Sequence, residues 1–144
     1  ESKKGIDWLR VNNTIVNPDK FQAIVLGNSR ILKDSYNLVI DGKNIKSSKS
    51  VMLLGLEIDH KLTFENHINT LCKRANNQIN AFSRIQNFFG QKEKEVVINT
   101  FIYSNFNYYP LSWHFGLQKS KLKIEKVQER CLKLVLQDYD RNYE

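Results

Sequence analysis

Lys73, Asn77, Asn80 and Arg84 recur at spacings of four, three and four, and Asn87 follows three residues later. On a helix these positions share one face. No acidic residue occurs from Asn66 through Lys92, whereas a solvent face ordinarily mixes both signs. Lysine and arginine bring charge to a phosphate, and asparagine brings hydrogen bonds to phosphate or sugar without reading sequence. The face has the composition of a surface for a polynucleotide backbone. The alternative for such a stripe is a plainly solvated helix side.

Other groupings offer less chemistry. Phosphoryl transfer on two metals needs carboxylates converging on magnesium. Asp138-Tyr139-Asp140 is the only close aspartate pair, and it sits in a polar tail without flanking apolar strands, so it reads as solvated loop. Asp59-His60 reads as the close of a strand. No glycine-rich phosphate loop, nucleophile elbow or Ser/His/Asp grouping is recognisable. Cys72 and Cys131 lack CxxC spacing and read as buried, reduced thiols. His60, His67 and His114 complete no metal-ligand cluster from local spacing, so no metal site is expected. Alone, the chain is expected to be catalytically silent.

The elements that must position the ridge follow from periodicity and turn signals. Residues 5–12 form the end of a helix with Ile6 and Leu9 inward, and Asn12-Asn13 stops it, because asparagine tolerates the left-handed conformation. Residues 14–16, the Asn17-Pro18-Asp19 turn and residues 21–26 read as strand, turn, strand, ended by Gly27. After a polar stretch, Leu38-Val39-Ile40 meets Asp41-Gly42, the strongest short hairpin signal, and returns through Ile45. A second polar link over 46–50 leads into a strand over 51–58, where Gly55 reads as a bulge in a buried strand.

From Thr63 the period becomes helical. Ile68, Leu71, Cys72, Ala75, Ile79 and Phe82 recur at three and four residues, continue to Ile85 and close at Gly90. A second helix over 92–109 is expected to bury Val96, Val97, Thr100, Phe101 and Phe106 before Pro110. A third, with Ser120 as its N-cap, carries Leu122, Ile124, Val127, Cys131, Leu134 and Val135 inward. Its cations Lys119, Lys121, Lys123, Lys126, Arg130 and Lys133 are interleaved with Glu125 and Glu129, a mixture that suits helix-stabilising pairs as much as nucleic-acid contact. Tyr103, Tyr108, Tyr109 and Trp113 are read as core rather than as a stacking platform. The fold class is α+β: short antiparallel strands with one helix over 1–62, then a three-helix bundle over 63–144.

The succession of Asn17-Pro18-Asp19-Lys20-Phe21, then Leu53-Leu54-Gly55-Leu56-Glu57-Ile58-Asp59, then Leu62-Thr63-Phe64-Glu65-Asn66-His67-Ile68 resembles the downstream end of the reverse transcriptases of non-LTR (LINE-like) retrotransposons. Ser104, Asn107-Tyr108 and Trp113 are similar to that family's thumb, and the resemblance extends to Gln128-Glu129-Arg130. It implies that residues 1–62 are the C-terminal part of a polymerase palm and residues 63–144 a helical thumb. The chain would then be a fragment of an RNA-directed DNA polymerase, a nucleotidyltransferase whose catalytic aspartates lie upstream of Glu1.

The resemblance also implies roles. Lys20 is implied as the catalytic lysine near the incoming nucleotide, stabilising or protonating the departing pyrophosphate; the family continues with threonine where this chain has Phe21. Leu54 and Gly55 are implied in the primer grip, a hairpin whose backbone approaches the primer end. Lys73, Asn77, Asn80 and Arg84 are implied to lie along the minor groove of an RNA/DNA template-primer duplex. The partners are that duplex and the upstream fingers and palm of the same polyprotein. Mg2+ is expected in the parent enzyme and none in this chain, and an active element would work in the nucleus. The rival reading of the same residues is a stand-alone basic nucleic-acid or protein-binding module, a decayed retroelement relic without enzymatic activity.

Composition sets outer bounds. The net charge of +7 and pI near 9.4 point to an anionic partner. The excess is spread, ten basic against seven acidic residues over 1–62 and twelve against eight over 63–144, so its placement is more informative than its size. A chain of 144 residues with 41% hydrophobic content suffices for one core or two small subdomains. No run approaches the roughly 18 apolar residues of a membrane span, and Glu1-Ser2-Lys3-Lys4 opens no signal peptide. An intracellular protein without a membrane partner is expected. The start without methionine and the short lead-in to the first helix fit a fragment cut from something longer.

Overall fold

The computed structural model describes residues 2–27, 36–40, 42–108, 110–114 and 116–136. The chain is α+β and divides into two compact units, Glu1–Leu62 and Thr63–Glu144.

The first unit opens with α1 (Ser2–Val11). Ile6 is buried and Leu9 half-buried, as the spacing requires. Asn13 takes φ +54°, and the Thr14 N–H bonds the Leu9 carbonyl at 2.9 Å, so the chain leaves the helix through a left-handed asparagine. Residues 14–16 are not a strand. Ile15 lies 95% exposed, and β-branched residues without a neighbouring strand have no pleated surface to pack on. The next ordered feature is a 3₁₀ turn, Pro18–Lys20, capped by the Asn17 side chain, whose Oδ1 accepts from the Asp19 N–H at 2.9 Å.

Strand β1 is short, Ala23–Ile24, and is followed by β2 (Asn37–Ile40), β3 (Lys43–Ser48), β4 (Ser50–Leu53) and β5 (Leu56–Asp59). β3 is central: β2 pairs with it antiparallel, Ile40 opposite Lys43, while β1 pairs with it parallel, Ala23 opposite Ser47. The expectation of purely antiparallel strands is therefore corrected. Asp41-Gly42 announces the β2–β3 hairpin, but the parallel partner is set by the return through β2, which no local signal encodes. Gly42 at φ +77° makes the β2–β3 turn; Asp41 lies outside the described residues. Residues 46–48, read as a link, extend β3. β4 and β5 form a separate hairpin, so residues 51–58 are two strands, and Gly55 sits in their turn rather than at a bulge. Among the described residues of this unit, Ile6 and Ile45 are the buried apolar side chains.

The second unit contains α2 (Glu65–Ser83), α3 (Gln91–Val97), a π-helical segment (Ile98–Tyr103), α4 (Ser104–Asn107), α5 (Pro110–His114) and α6 (Gln118–Leu136). α3, the π segment and α4 run on as one interrupted helix. Its buried residues are Lys94, Ile98, Ile102 and Phe106, four apart throughout. At 3.6 residues per turn such a stripe would swing off the core, and the i→i+5 turn unwinds the helix enough to keep it in line. The predicted phase is corrected for that reason: Val96 and Phe101 are 63% and 62% exposed, Thr100 is exposed, and Ile98 and Ile102 take their places in the core.

α2 ends at Ser83 rather than running to Gly90; a 3₁₀ turn, Gln86–Phe88, follows, and Ile85 is exposed. α6 begins before Ser120, whose side chain is buried inside the first turn, and Leu122 faces outward. The core gathers Ile68, Cys72, Ala75 and Ile79 of α2, Ile98 and Ile102 of the π segment, and Ile124, Val127 and Cys131 of α6. Both cysteines are free and buried. Tyr103 packs partly buried against this core, and Tyr108 is exposed. Tyr109, the Trp113 side chain and the 138–140 acidic pair lie outside the described residues. No helix among the described residues is long and apolar enough to cross a membrane.

Candidate nucleic-acid interface

α2 presents its ridge outward. Ile68, Cys72, Ala75, Ile79 and Phe82 face the core, and Lys73, Asn77, Asn80 and Arg84 are exposed on the opposite side. Arg84 is the residue that caps the helix C-terminus, where a guanidinium favours the negative end of the helix dipole. Asn87 is exposed beyond the helix end. Among the described residues of this unit, no helix covers the ridge and none of its four side chains is packed into the core.

One border of the ridge is set by α6. Glu65 lies 3.5 Å from Lys119, Lys123 donates to Asn69 Oδ1, and Arg130 donates to Asn76 Oδ1. Each pair is separated by 54 residues, so the two helices run parallel, side by side and in register. The second Arg130 nitrogen donates to Asn80 Oδ1 at 2.9 Å. Asn76 also donates through Nδ2 to the Cys72 carbonyl at 2.9 Å, which uses both ends of its amide inside the fold. Asn80 is exposed, and that bond uses only its amide oxygen. On the other side of α2, Gln78 Oε1 accepts from Asn105 of α4 at 2.7 Å, and this fixes which flank of α2 faces the interrupted helix.

Burial in the bundle beneath shifts its thiols. Burial raises the Cys131 thiol to about 11, with Arg130 opposing; burial also raises Cys72, with Lys123 opposing. Burial likewise raises the Tyr103 phenol. None of these groups reaches the ridge, so its positive charge is carried by lysine and arginine alone.

In the first unit Lys20 is the last residue of the 3₁₀ turn, and it is exposed. Its neighbour Asp19 pairs with Lys43, whose hydrogen bond and charge hold that carboxyl below the usual range. That contact anchors the turn to β3. Gln22 Oε1 accepts from the Met52 N–H at 2.8 Å, which ties the stretch just after Lys20 to the strand leading into the β4–β5 turn. Leu54 and Gly55 are the two turn residues, at φ +48° and +87°, a pattern that matches a type I′ turn. Asparagine or glycine normally takes the first of these positions, so a leucine there holds strained backbone. The Leu54 side chain is 76% exposed.

The structure thus joins Lys73, Asn77, Asn80 and Arg84 on one surface, and Lys20 with the Leu54–Gly55 turn through neighbouring segments of the other unit. Sequence reasoning gave no special place to Arg130. The signal was present: Lys119, Lys123, Lys126, Arg130 and Lys133 are spaced four, three, four and three, a single helical stripe bordered by Glu129. No family model, curated protein or solved structure matches this chain.

Proposed function

We propose that this chain is part of an RNA-directed DNA polymerase, its segment for gripping the template-primer duplex, with the catalytic carboxylates elsewhere in the parent. The observation that carries the reading is the exposed, acid-free face of α2, backed by the packed core on its opposite side. The order of the three sequence phrases, similar to the palm and thumb of LINE-like reverse transcriptases, supplies the polymerase context.

In this reading Lys73 and Arg84 neutralise phosphates, and Asn77 and Asn80 donate to phosphate or sugar oxygens. These contacts carry no base information, as suits a surface that must hold any template. The Leu54–Gly55 turn offers backbone at a tight tip for approach to the primer end. Lys20, exposed on a capped turn, brings an ammonium toward the departing pyrophosphate, where positive charge and a proton both favour departure. Magnesium would assist at the carboxylates of the parent; among the described residues here no three His, Cys, Asp or Glu come together, and no step through the metal is assigned to this chain.

The test is a salt titration of the 144-residue chain binding an RNA/DNA hybrid. Each neutralised phosphate contributes about 0.9 to the slope of log K against log salt. Changing Lys73 and Arg84 together to Ala is expected to make the slope shallower by about 1.8. An unchanged slope removes the ridge from the interface.

A further inference from the structure

We infer that α6 supplies a second phosphate-contacting row, formed by Lys126, Arg130 and Lys133, so that α2 and α6 together hold both strands of a duplex, with Glu65 closing the row at one end. This rests on the reading that the α2 ridge faces a polynucleotide.

The constant separation of 54 residues between contacting partners sets Lys126 level with Cys72, one residue from Lys73. It sets Lys133 level with Ile79, beside Asn80. Arg130 lies between them and touches the ridge directly through Asn80. The α6 row therefore runs alongside the α2 row. At 1.5 Å per residue, Lys126 to Lys133 spans about 10 Å and Lys73 to Arg84 about 16 Å.

Both rows face the same way. On α2 the flank toward the interrupted helix carries Gln78. On α6 the equivalent flank carries Leu132, Val135 and Leu136, which line a cleft against Glu95 and Ile98. The cationic rows sit on the side of the helix pair away from that cleft. Of the acids, Glu125 and Glu129 fall on the stripe of Leu132 and Leu136, at spacings of four, three and four; Glu129, three residues after Lys126 and four before Lys133, borders the α6 row on that side.

Packed helices place their axes about 8–10 Å apart. Two rows at that separation suit the two phosphate chains of a duplex, and the partner assigned to them is double-stranded; a single strand lying between the rows is the alternative that the experiment separates. At the start of the pair Glu65 Oε1 lies 3.5 Å from Lys119 and 3.9 Å from Lys123. A carboxylate there offsets two cations and repels phosphate, which confines the track to the C-terminal part of the two helices.

The experiment measures binding of the full 144-residue chain to an RNA/DNA hybrid and to a single strand of equal length across a salt series, with circular dichroism to confirm that each variant folds. Lys126→Ala with Lys133→Ala is expected to make the hybrid slope shallower by about 1.8 and to leave single-strand binding unchanged. Glu65→Gln is expected to steepen the hybrid slope by about one or more. Lys121→Ala, off the stripe, is expected to change neither. Equal loss on hybrid and single strand, or an effect of Lys121 equal to that of Lys126, overturns the two-row arrangement. If Lys73→Ala with Arg84→Ala shifts the slope while the α6 pair does not, the second row falls and the α2 ridge stands. If neither pair shifts it, both fall.

Discussion

The Arg130 guanidinium donates to Asn80 Oδ1 at 2.9 Å and, through its other terminal nitrogen, to Asn76 Oδ1. One planar fork spans two asparagines a helical turn apart, which ties α6 to α2 and engages the amide oxygen of the exposed Asn80. A surface residue thus does structural work for the ridge beside it.

Geometry and charge can be separated at this residue. Lysine keeps the charge but has no fork to span two acceptors. Arg130→Lys is expected to leave the salt slope of hybrid binding in place and to lower stability by about 0.5–1 kcal/mol, the ordinary range for an exposed hydrogen-bonded contact. Urea denaturation read alongside the salt titration checks both halves.

The interrupted helix predicts unequal costs for two adjacent apolar residues. Ile102 is 1% exposed and Phe101 62%. Ile102→Ala is expected to cost about 2–4 kcal/mol, whereas Phe101→Ala is expected to cost under about 1 kcal/mol. Equal costs in urea melts would mean that the π segment is absent and the helix keeps its regular phase.

These two residues also mark where reading the sequence stops. The long stripe from Ile68 to Phe82 was legible because a regular helix repeats one spacing many times, and Asp41-Gly42 marked the hairpin that β2 and β3 make. The phase of the second helix was not legible, since an α-helix and a π-interrupted one share the same apolar residues and differ only in winding. The parallel pairing of β1 with β3 was hidden because it joins segments far apart in the chain. For the site, the ridge of α2 could be read from its spacing. The α6 stripe that holds Arg130 was visible in its spacing, but its partners Asn76 and Asn80 required knowing that α2 and α6 lie parallel and in register, a tertiary fact that leaves no local trace.

The buried thiols give a pH dependence whose sign is fixed by burial. Cys131 is raised to about 11 and Cys72 is raised as well. Because the folded state disfavours the thiolate, these groups contribute stability below the ordinary thiol range, and that contribution is lost as pH rises through about 11. The melting temperature is expected to fall over that alkaline window, and less steeply in Cys131→Ala. Near pH 8 both thiols are expected to resist a disulfide-exchange reagent until denaturant is added.

Lys20 separates stability from chemistry. Its exposed side chain lies beyond the Asn17 cap and the Asp19–Lys43 pair that hold the turn. Lys20→Ala is expected to leave the melting temperature within the scatter of a neutral surface change, about 0.5 kcal/mol. In a protein that joins this segment to polymerase carboxylates, the same change is expected to slow nucleotide incorporation while leaving hybrid affinity unaltered. Equal incorporation rates would remove Lys20 from the reaction.

The Leu54 turn sets strain against contact. Leu54 sits at φ +48° with its side chain exposed, and glycine takes that conformation without steric cost. Leu54→Gly is expected to raise stability by about 0.5–1 kcal/mol. If the tip meets the primer end, removing its apolar side chain weakens hybrid binding even as the fold gains stability. A variant that is more stable and binds less tightly assigns the strain to function, since selection for stability alone would favour glycine or asparagine there. A variant that is more stable and binds equally well leaves the leucine without a role at the duplex, and the grip would then rest on the turn backbone alone.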